Sequence, residues 1–207
     1  MQLPFYSSFD EVRAEAAMCR ACGRADQRQQ VVMGAGDPDA DLMLIAEYPS
    51  QTDDSTGQPY TGPAGEYLDE LLAFAGTDRS SIYITNVVRC YATESGRRGD
   101  RIKPSTRTEQ HACSTWTSLE IQFVRPRVIL ALGAPPARVL IDESFELTDQ
   151  RGTWMTRPDG VEVTATFQPA YAMRMKSHDP DRAREIESHL INDIRAAVAR
   201  SNATPPE

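Results

Sequence analysis

The chain has 207 residues, 40% hydrophobic and 25% charged, with a formal net charge of −8. That is enough to bury one core without disulfides, so a single domain over residues 1–207 is expected, with its core at about 15–195. No apolar run approaches the ~18 residues needed to cross a bilayer, and the first residues lack a basic stretch followed by an apolar one. This predicts a cytoplasmic, monomeric protein with no membrane partner, and the acidic balance argues mildly against a protein that coats nucleic acid, although net charge describes the whole surface and leaves one face free to be basic.

In chain order, SFDEVRAEAAM (8–18) has helical spacing with Ser8 as cap. It leads into CRAC, with Cys19 and Cys22; Cys90 and Cys113 are the other cysteines. Four cysteines in a reducing compartment are poor candidates for two disulfides. A CxxC presents two thiolates from one turn, the geometry that zinc or an iron–sulfur cluster needs, and spacing alone does not separate the two metals. The lone Cys90 and Cys113 lean away from a zinc ribbon.

LMLIA (42–46) reads as a buried strand that Glu47 ends. Pro49, Gly57, Pro59, Gly62, Pro63 and Gly65 then predict about fifteen residues without helix or ladder, followed by an amphipathic helix from EYLDELLAFAG. A long loop at the carboxyl end of a strand is where open α/β sheets place ligands. IYITNVV is a second strand, running into Cys90. YATESGRRGDRIKPSTR holds Arg97, Arg98, Arg101, Lys103 and Arg107 on a glycine-containing loop, either solvated or a mobile arm that contacts phosphates. TEQHACSTWTSLEIQF is helical, and Val128 to Leu132 is a third strand, followed by a turn at Gly133 and a short helix begun by Pro135 and Pro136. A hairpin turns at Pro158-Asp159-Gly160 into a strand over 161–167, whose end carries FQPAYAMR as a second proline-containing loop. A charged amphipathic helix over about 181–200 precedes a frayed tail at 201–207. Strands alternating with helices predict a three-layer α/β/α domain with a mostly parallel central sheet.

The order of the CxxC, AEYPSQTDDSTGQPYTGPAG, YITNVVRC, a lone cysteine, VILALG and QPAYAMR resembles the iron–sulfur uracil-DNA glycosylases of family 4, over about residues 15–195. The resemblance implies the uracil-DNA glycosylase fold and a [4Fe–4S] cluster on Cys19, Cys22, Cys90 and Cys113. It also implies hydrolysis of the N-glycosidic bond of a nucleotide flipped out of DNA. The family's GEAPG is here Ala46, Glu47, Tyr48, Pro49 and Ser50, its HPS histidine is Gln168, the aromatic of GxPFxG is Tyr60, and the asparagine of TN is Asn86. Tyr60 can stack on a flipped base and Asn86 can read a pyrimidine edge, while Glu47 can orient water or stabilise a sugar cation. Gln168 keeps a neutral donor where the family has histidine. Tyr48 enlarges the loop residue beside Glu47, and Ser50 leaves the C5 side of the base open. On the DNA side, Arg97, Arg98 and Arg101 are candidates for phosphates, Tyr171 and Met173 for the gap left by the flipped nucleotide, and Arg174 for the backbone. These changes favour a C5-substituted pyrimidine, such as a modified cytosine of foreign DNA. The alternatives are ordinary uracil excision in repair, a silent DNA-binding relative, or an unrelated α/β hydrolase with structural zinc.

Overall fold

The computed structural model describes residues 5–97 and 99–203. Arg98 and the end of the tail, 204–207, lie outside the described residues. The first helix, α1 (Phe9–Ala17), is capped by Ser8, whose hydroxyl accepts from the Glu11 N–H. A 3-10 turn (Gly23–Asp26) follows the CxxC, and a second lies at Arg79–Ser81. The next elements are β1 (Ala35–Gly36), β2 (Leu42–Ala46), α2 (Gln51–Thr56), α3 (Pro63–Ala75), β3 (Tyr83–Asn86), β4 (Thr93–Gly96), β5 (Gly99–Ile102) and α4 (Arg107–Val124). The remainder are β6 (Val128–Leu132), α5 (Ala134–Leu140), α6 (Leu147–Gln150), β7 (Met155–Thr156), β8 (Glu162–Thr166), α7 (Pro169–Lys176) and α8 (Pro180–Ser201).

Six strands form one sheet in the order β1-β3-β2-β6-β8-β7. The four central strands are parallel, and β1 and β7 close the two margins antiparallel. Every residue of β2 and β6 is buried, as both must be when helices cover both faces, which is why each reads as an unbroken apolar run. On one face Met43, Ile45, Ile129 and Ala131 pack with Val12, Trp116 and Leu119 of α1 and α4. On the other, Leu42, Leu44 and Leu130 meet Leu68, Leu71 and Leu72 of α3 with Ile186 and Leu190 of α8. The expected three layers and mostly parallel sheet are therefore present.

Five local expectations are corrected. The stretch after β2 contains a helix, α2: Ser50 caps it in a reciprocal box with Asp53, and Gly57 closes it at φ 76°, so glycine and proline flank the helix rather than forbid it. Helix α3 begins at Pro63, before Gly65, because proline fits the first helical position, whose N–H needs no partner. The arginine-rich arm is an antiparallel hairpin, β4–β5, with Glu94 opposite Arg101. QPAYAMR is the helix α7, again with proline at its first position. Ser201, expected in the tail, is buried in the last turn of α8.

Candidate active site

Parallel strands bring their carboxyl ends to one margin of the sheet, where loops converge. Glu47 directly follows β2, Asn86 ends β3, and Gln168 lies just beyond β8, beside Gly133 at the end of β6. A Cβ on Gly133 would approach that of Gln168 to 3.5 Å, and the φ of 105° at Gly133 already disfavours any other residue.

Asn86 is 1% exposed, and neither its amide oxygen nor its amide nitrogen has a hydrogen-bond partner among the described residues. A buried amide left open costs ~1–3 kcal/mol for each unsatisfied group, so the folded chain holds a planar donor and acceptor in reserve. Its backbone is fixed: the Asn86 carbonyl accepts from Arg89, and Ala46 pairs with Asn86 across β2 and β3.

Glu47 is buried, and its Oε1 accepts two hydrogen bonds from Ser105, 3.0 Å from the N–H and 2.7 Å from Oγ. Gln110 donates to that same Oγ at 2.7 Å. Ser105 and Gln110 were not foreseen. The S/T-x-x-E pattern of Thr106 and Glu109, which does cap α4, locates the helix start, but nothing local tells which carboxylate Ser105 faces. Glu47, Pro104, Ser105, Gln110, Pro135 and Arg138 line a cavity of about 800 Å³ at this margin. A larger one, about 1000 Å³, lies at the opposite end of the sheet around Arg125, Arg127, Arg157 and Arg200; of the residues expected to act on the base, Glu47 lines the smaller cavity and Asn86, Tyr60 and Gln168 do not.

Tyr60 takes a left-handed φ of 57° and is buried. Arg79 donates to its carbonyl at 2.6 Å, and a Cβ at Gly65 would fall 1.8 Å from that oxygen. A strained residue held by surroundings that leave it no alternative is typical of a ligand site. Tyr48 is half-buried, with the Arg24 guanidinium 5.7 Å from its ring centre. Burial, and after it the charge of Glu47, raises the Tyr48 hydroxyl above its usual pKa, while Arg24 and Arg174 oppose the rise. Ser50 spends its hydroxyl and its N–H on the α2 capping box. The side chain of Gln168, at the N-cap of α7, makes no capping hydrogen bond.

Of the residues expected to face DNA, Arg97 is exposed at the hairpin end, whereas Arg101 pairs with Glu94 at 2.9 Å. Lys103 and Arg107 are likewise paired, with Glu109 and Glu143, so the arm is less free in charge than its composition implies. Burial alone would raise the Glu109 carboxyl, but hydrogen bonds from Lys103 and the Thr106 N–H, together with Arg24, hold it down to about 2. On α7, Tyr171 lies 6.2 Å from Phe167 in a tilted pair and Arg174 is 5.9 Å from the Tyr171 ring. Met173 is half-buried against the α3 and α8 side of the core.

Cys19, Cys22, Cys90 and Cys113 line a single small cavity together with Arg28, Val88 and Trp116. All four are free thiols. Arg28 donates to the Cys90 Sγ at 3.6 Å and the Arg89 N–H to the Cys113 Sγ at 3.4 Å. Burial pushes the Cys90 thiol up to about 12 and raises Cys113 as well. Among the described residues no group of three or more His, Cys, Asp or Glu is gathered to hold a metal ion. Four thiols around a common apolar cavity, with N–H groups aimed at two sulfurs, are a donor set that an iron–sulfur cluster can use.

The model of the Uracil DNA glycosylase superfamily matches residues 33–194, from the segment before β1 into α8. The type-4 uracil-DNA glycosylase of Thermotoga maritima is 33% identical over 180 residues, 86% of this chain and 87% of the relative. That of Archaeoglobus fulgidus is 29% identical over 192 residues, covering 87% and 89%, and that of Pyrobaculum aerophilum 31% over 163 residues, covering 75% and 80%. A solved structure, wild-type SMUG2 of Pedobacter heparinus, aligns with a TM-score of 0.48 at 12% identity over 80% of this chain and 77% of that one, a likeness too slight to bear on the site. The chain therefore belongs to the uracil DNA glycosylase superfamily, as a type-4-like DNA glycosylase.

Proposed function

We propose that this glycosylase hydrolyses the N-glycosidic bond of a flipped pyrimidine in DNA, with its preference moved from plain uracil toward a C5-substituted base. The buried, unpartnered amide of Asn86 carries the first part of the reading: a planar donor and acceptor held open at the strand ends matches the edge of a pyrimidine brought to it. Tyr60 stacks on the base, Glu47 orients water or stabilises the sugar cation that forms as the bond breaks, and Gln168 donates to the base oxygen that gains charge.

The second part rests on Gln168, Tyr48 and Ser50. A neutral amide is a weaker donor to the departing base than histidine, and a donor of this kind is worth ~3 kcal/mol, about a hundredfold in rate. Ser50 brings no bulk beside the base, and the Tyr48 ring alters the loop next to Glu47. The deciding experiment is single-turnover excision over duplexes carrying uracil, 5-hydroxymethyluracil and 5-hydroxymethylcytosine, for the wild-type chain and Gln168→His. A retargeted enzyme prefers a C5-substituted base, and Gln168→His gains uracil excision while losing that preference. Efficient removal of plain uracil by the wild-type chain, with no preference for a C5 substituent, overturns the specificity reading.

Cys19, Cys22, Cys90 and Cys113 would hold a [4Fe–4S] cluster. When bound, it supplies metal–thiolate links that tie the amino-terminal loop, the segment after β3 and α4 together. Anaerobically purified protein is expected to contain about four irons per chain, and Cys90→Ala to lose both iron and visible colour. Stoichiometric zinc without iron would end this assignment.

Phosphate contacts come from Arg97, Arg98 and Arg101, with Arg174 on the backbone and Tyr171 and Met173 filling the gap left by the flipped nucleotide. Because Arg101 must leave Glu94 to reach a phosphate, its gain is partly offset. Neutralising Arg97 and Arg101 together is expected to lower the slope of log K against log salt by up to about two. An unchanged slope would return the hairpin to the role of a solvated loop.

A further inference from the structure

Arg24 is completely buried, two residues beyond Cys22, in a position where a guanidinium is costly unless its donors are met. One terminal nitrogen donates to the Cys90 carbonyl at 3.2 Å. The other donates to the carbonyls of Lys103 at 2.9 Å and Pro104 at 2.8 Å. Its Nε lies 3.1 Å from Glu109 Oε2, close enough for the charges to pair although that N–H is not aligned for a hydrogen bond. Cys90 precedes the β4–β5 hairpin and Lys103 and Pro104 follow it, so this one side chain gathers the hairpin's two stems, helped by the Lys103 N–H to Ala92 carbonyl bond at 2.9 Å.

The Pro104 carbonyl and the Ser105 N–H belong to one peptide unit, and a peptide unit is a rigid plane. Arg24 holds its oxygen end, while its N–H end is one of the two donors to Glu47 Oε1. Fixing the oxygen fixes the direction of the N–H, and a charged donor on the carbonyl polarises the amide so that the N–H becomes a better donor to the carboxylate. The Ser105 hydroxyl, oriented by Gln110, completes the grip.

We infer that Arg24 is a positioning residue for Glu47, acting through the Pro104–Ser105 peptide that it holds from the far side. This rests on the reading of Glu47 as the carboxylate that acts on the flipped nucleotide. It also makes the loop that carries Cys19 and Cys22 part of the active-site scaffold, because Arg24 belongs to that loop.

Arg24→Lys keeps the charge but replaces the planar fork with a point donor unable to span both hairpin stems. In the intact protein, iron content and visible absorbance are expected to persist, and because the loosened hairpin also carries the phosphate-contacting arginines, excision is read at saturating protein so that weaker duplex binding does not enter the rate. Hydrogen–deuterium exchange at Ser105 is expected to quicken, and single-turnover excision to fall by about tenfold or more. The substrate is whichever duplex of the uracil, 5-hydroxymethyluracil and 5-hydroxymethylcytosine set the wild-type chain processes. Arg24→Lys is also placed in the Glu47→Gln background. If Arg24 acts through Glu47, it causes little further loss there; an equal loss in both backgrounds, or unchanged exchange at Ser105, overturns the inference. Should Arg24→Lys not fold, Glu109→Gln, which removes the charge paired with Arg24, takes its place in the same cycle and is judged by the same outcomes. Full activity of Glu47→Gln would defeat the reading of Glu47 itself, and the exchange measurement would still decide whether Arg24 governs the Pro104–Ser105 peptide.

Discussion

Glu47→Gln is expected to slow single-turnover base excision by about a hundredfold or more, the usual range for losing a positioned acid or base. The substitution is nearly isosteric and keeps an oxygen to accept from Ser105, which supplies both of the hydrogen bonds that fix the carboxylate. What it removes is the negative charge, at a buried position where charge acts most strongly on a cationic sugar or a water molecule. Folding and DNA affinity are therefore expected to persist, so that the loss falls on the chemical step. Quench-flow excision assays alongside fluorescence anisotropy on the same labelled duplex separate the two. A rate within about threefold of wild type would remove Glu47 from the chemistry.

The largest stability effect is expected at Glu120. This carboxylate is wholly buried behind β3, paired with the equally buried Arg89. It also accepts from the Gly34 N–H at 2.6 Å, from Thr85 Oγ1 at 2.6 Å and from the Tyr83 hydroxyl at 3.3 Å. Glu120→Ala leaves a guanidinium and three further donors without their acceptor, and breaking a buried pair from one side costs about 3–5 kcal/mol. For a chain of this size that corresponds to a fall of roughly 10 °C in Tm. The double change Arg89→Met with Glu120→Leu, which removes both charges and fills the space, is expected to recover only the part of the loss due to the stranded guanidinium, because the Gly34, Thr85 and Tyr83 donors still lack their acceptor. Arg89 also donates to the Asn86 carbonyl and to Thr117 Oγ1, and its N–H meets the Cys113 sulfur. Glu120→Ala should therefore weaken cysteine-site loading as well as stability. Thermal unfolding followed by circular dichroism measures the first, and a loss below about 1 kcal/mol would show that the pair is not what holds this region.

Local patterning revealed the frame because the frame obeys local rules. The apolar runs of β2 and β6 are legible since both faces are covered, and α1, α4 and α8 carry helical spacing with recognisable caps. Helices α2 and α7 were obscured by weighing proline and glycine as breakers without asking where in the helix they fall. Pro169 sits at the first position of α7, and Gly57 just past the end of α2. The β4–β5 hairpin has no apolar alternation to announce it, because β5 is exposed along its whole length. At the candidate site, Glu47, Asn86 and Gln168 came from matching the family's motifs, and the structure sets each at or just beyond the end of a parallel strand. Arg24, Arg89 and Glu120 were not legible: charged residues ordinarily mark a surface, and only the three-dimensional pairing reveals that these are enclosed.

The sheet's two margins carry a separate consequence. β1 and β7 are each two residues long and run against their neighbours. Without them the long sides of β3 and β8 would stand open as rows of unpaired amides and carbonyls, an invitation to stray strands from other molecules. Each margin is stopped instead by a stub too short to template further growth. One stub contains Gly36 at φ 121°, where a Cβ would lie 2.0 Å from the Ile82 carbonyl oxygen. A side chain there is expected to pry the stub from β3 and bare that flank of the sheet, so Gly36 guards the protein against edge-to-edge association.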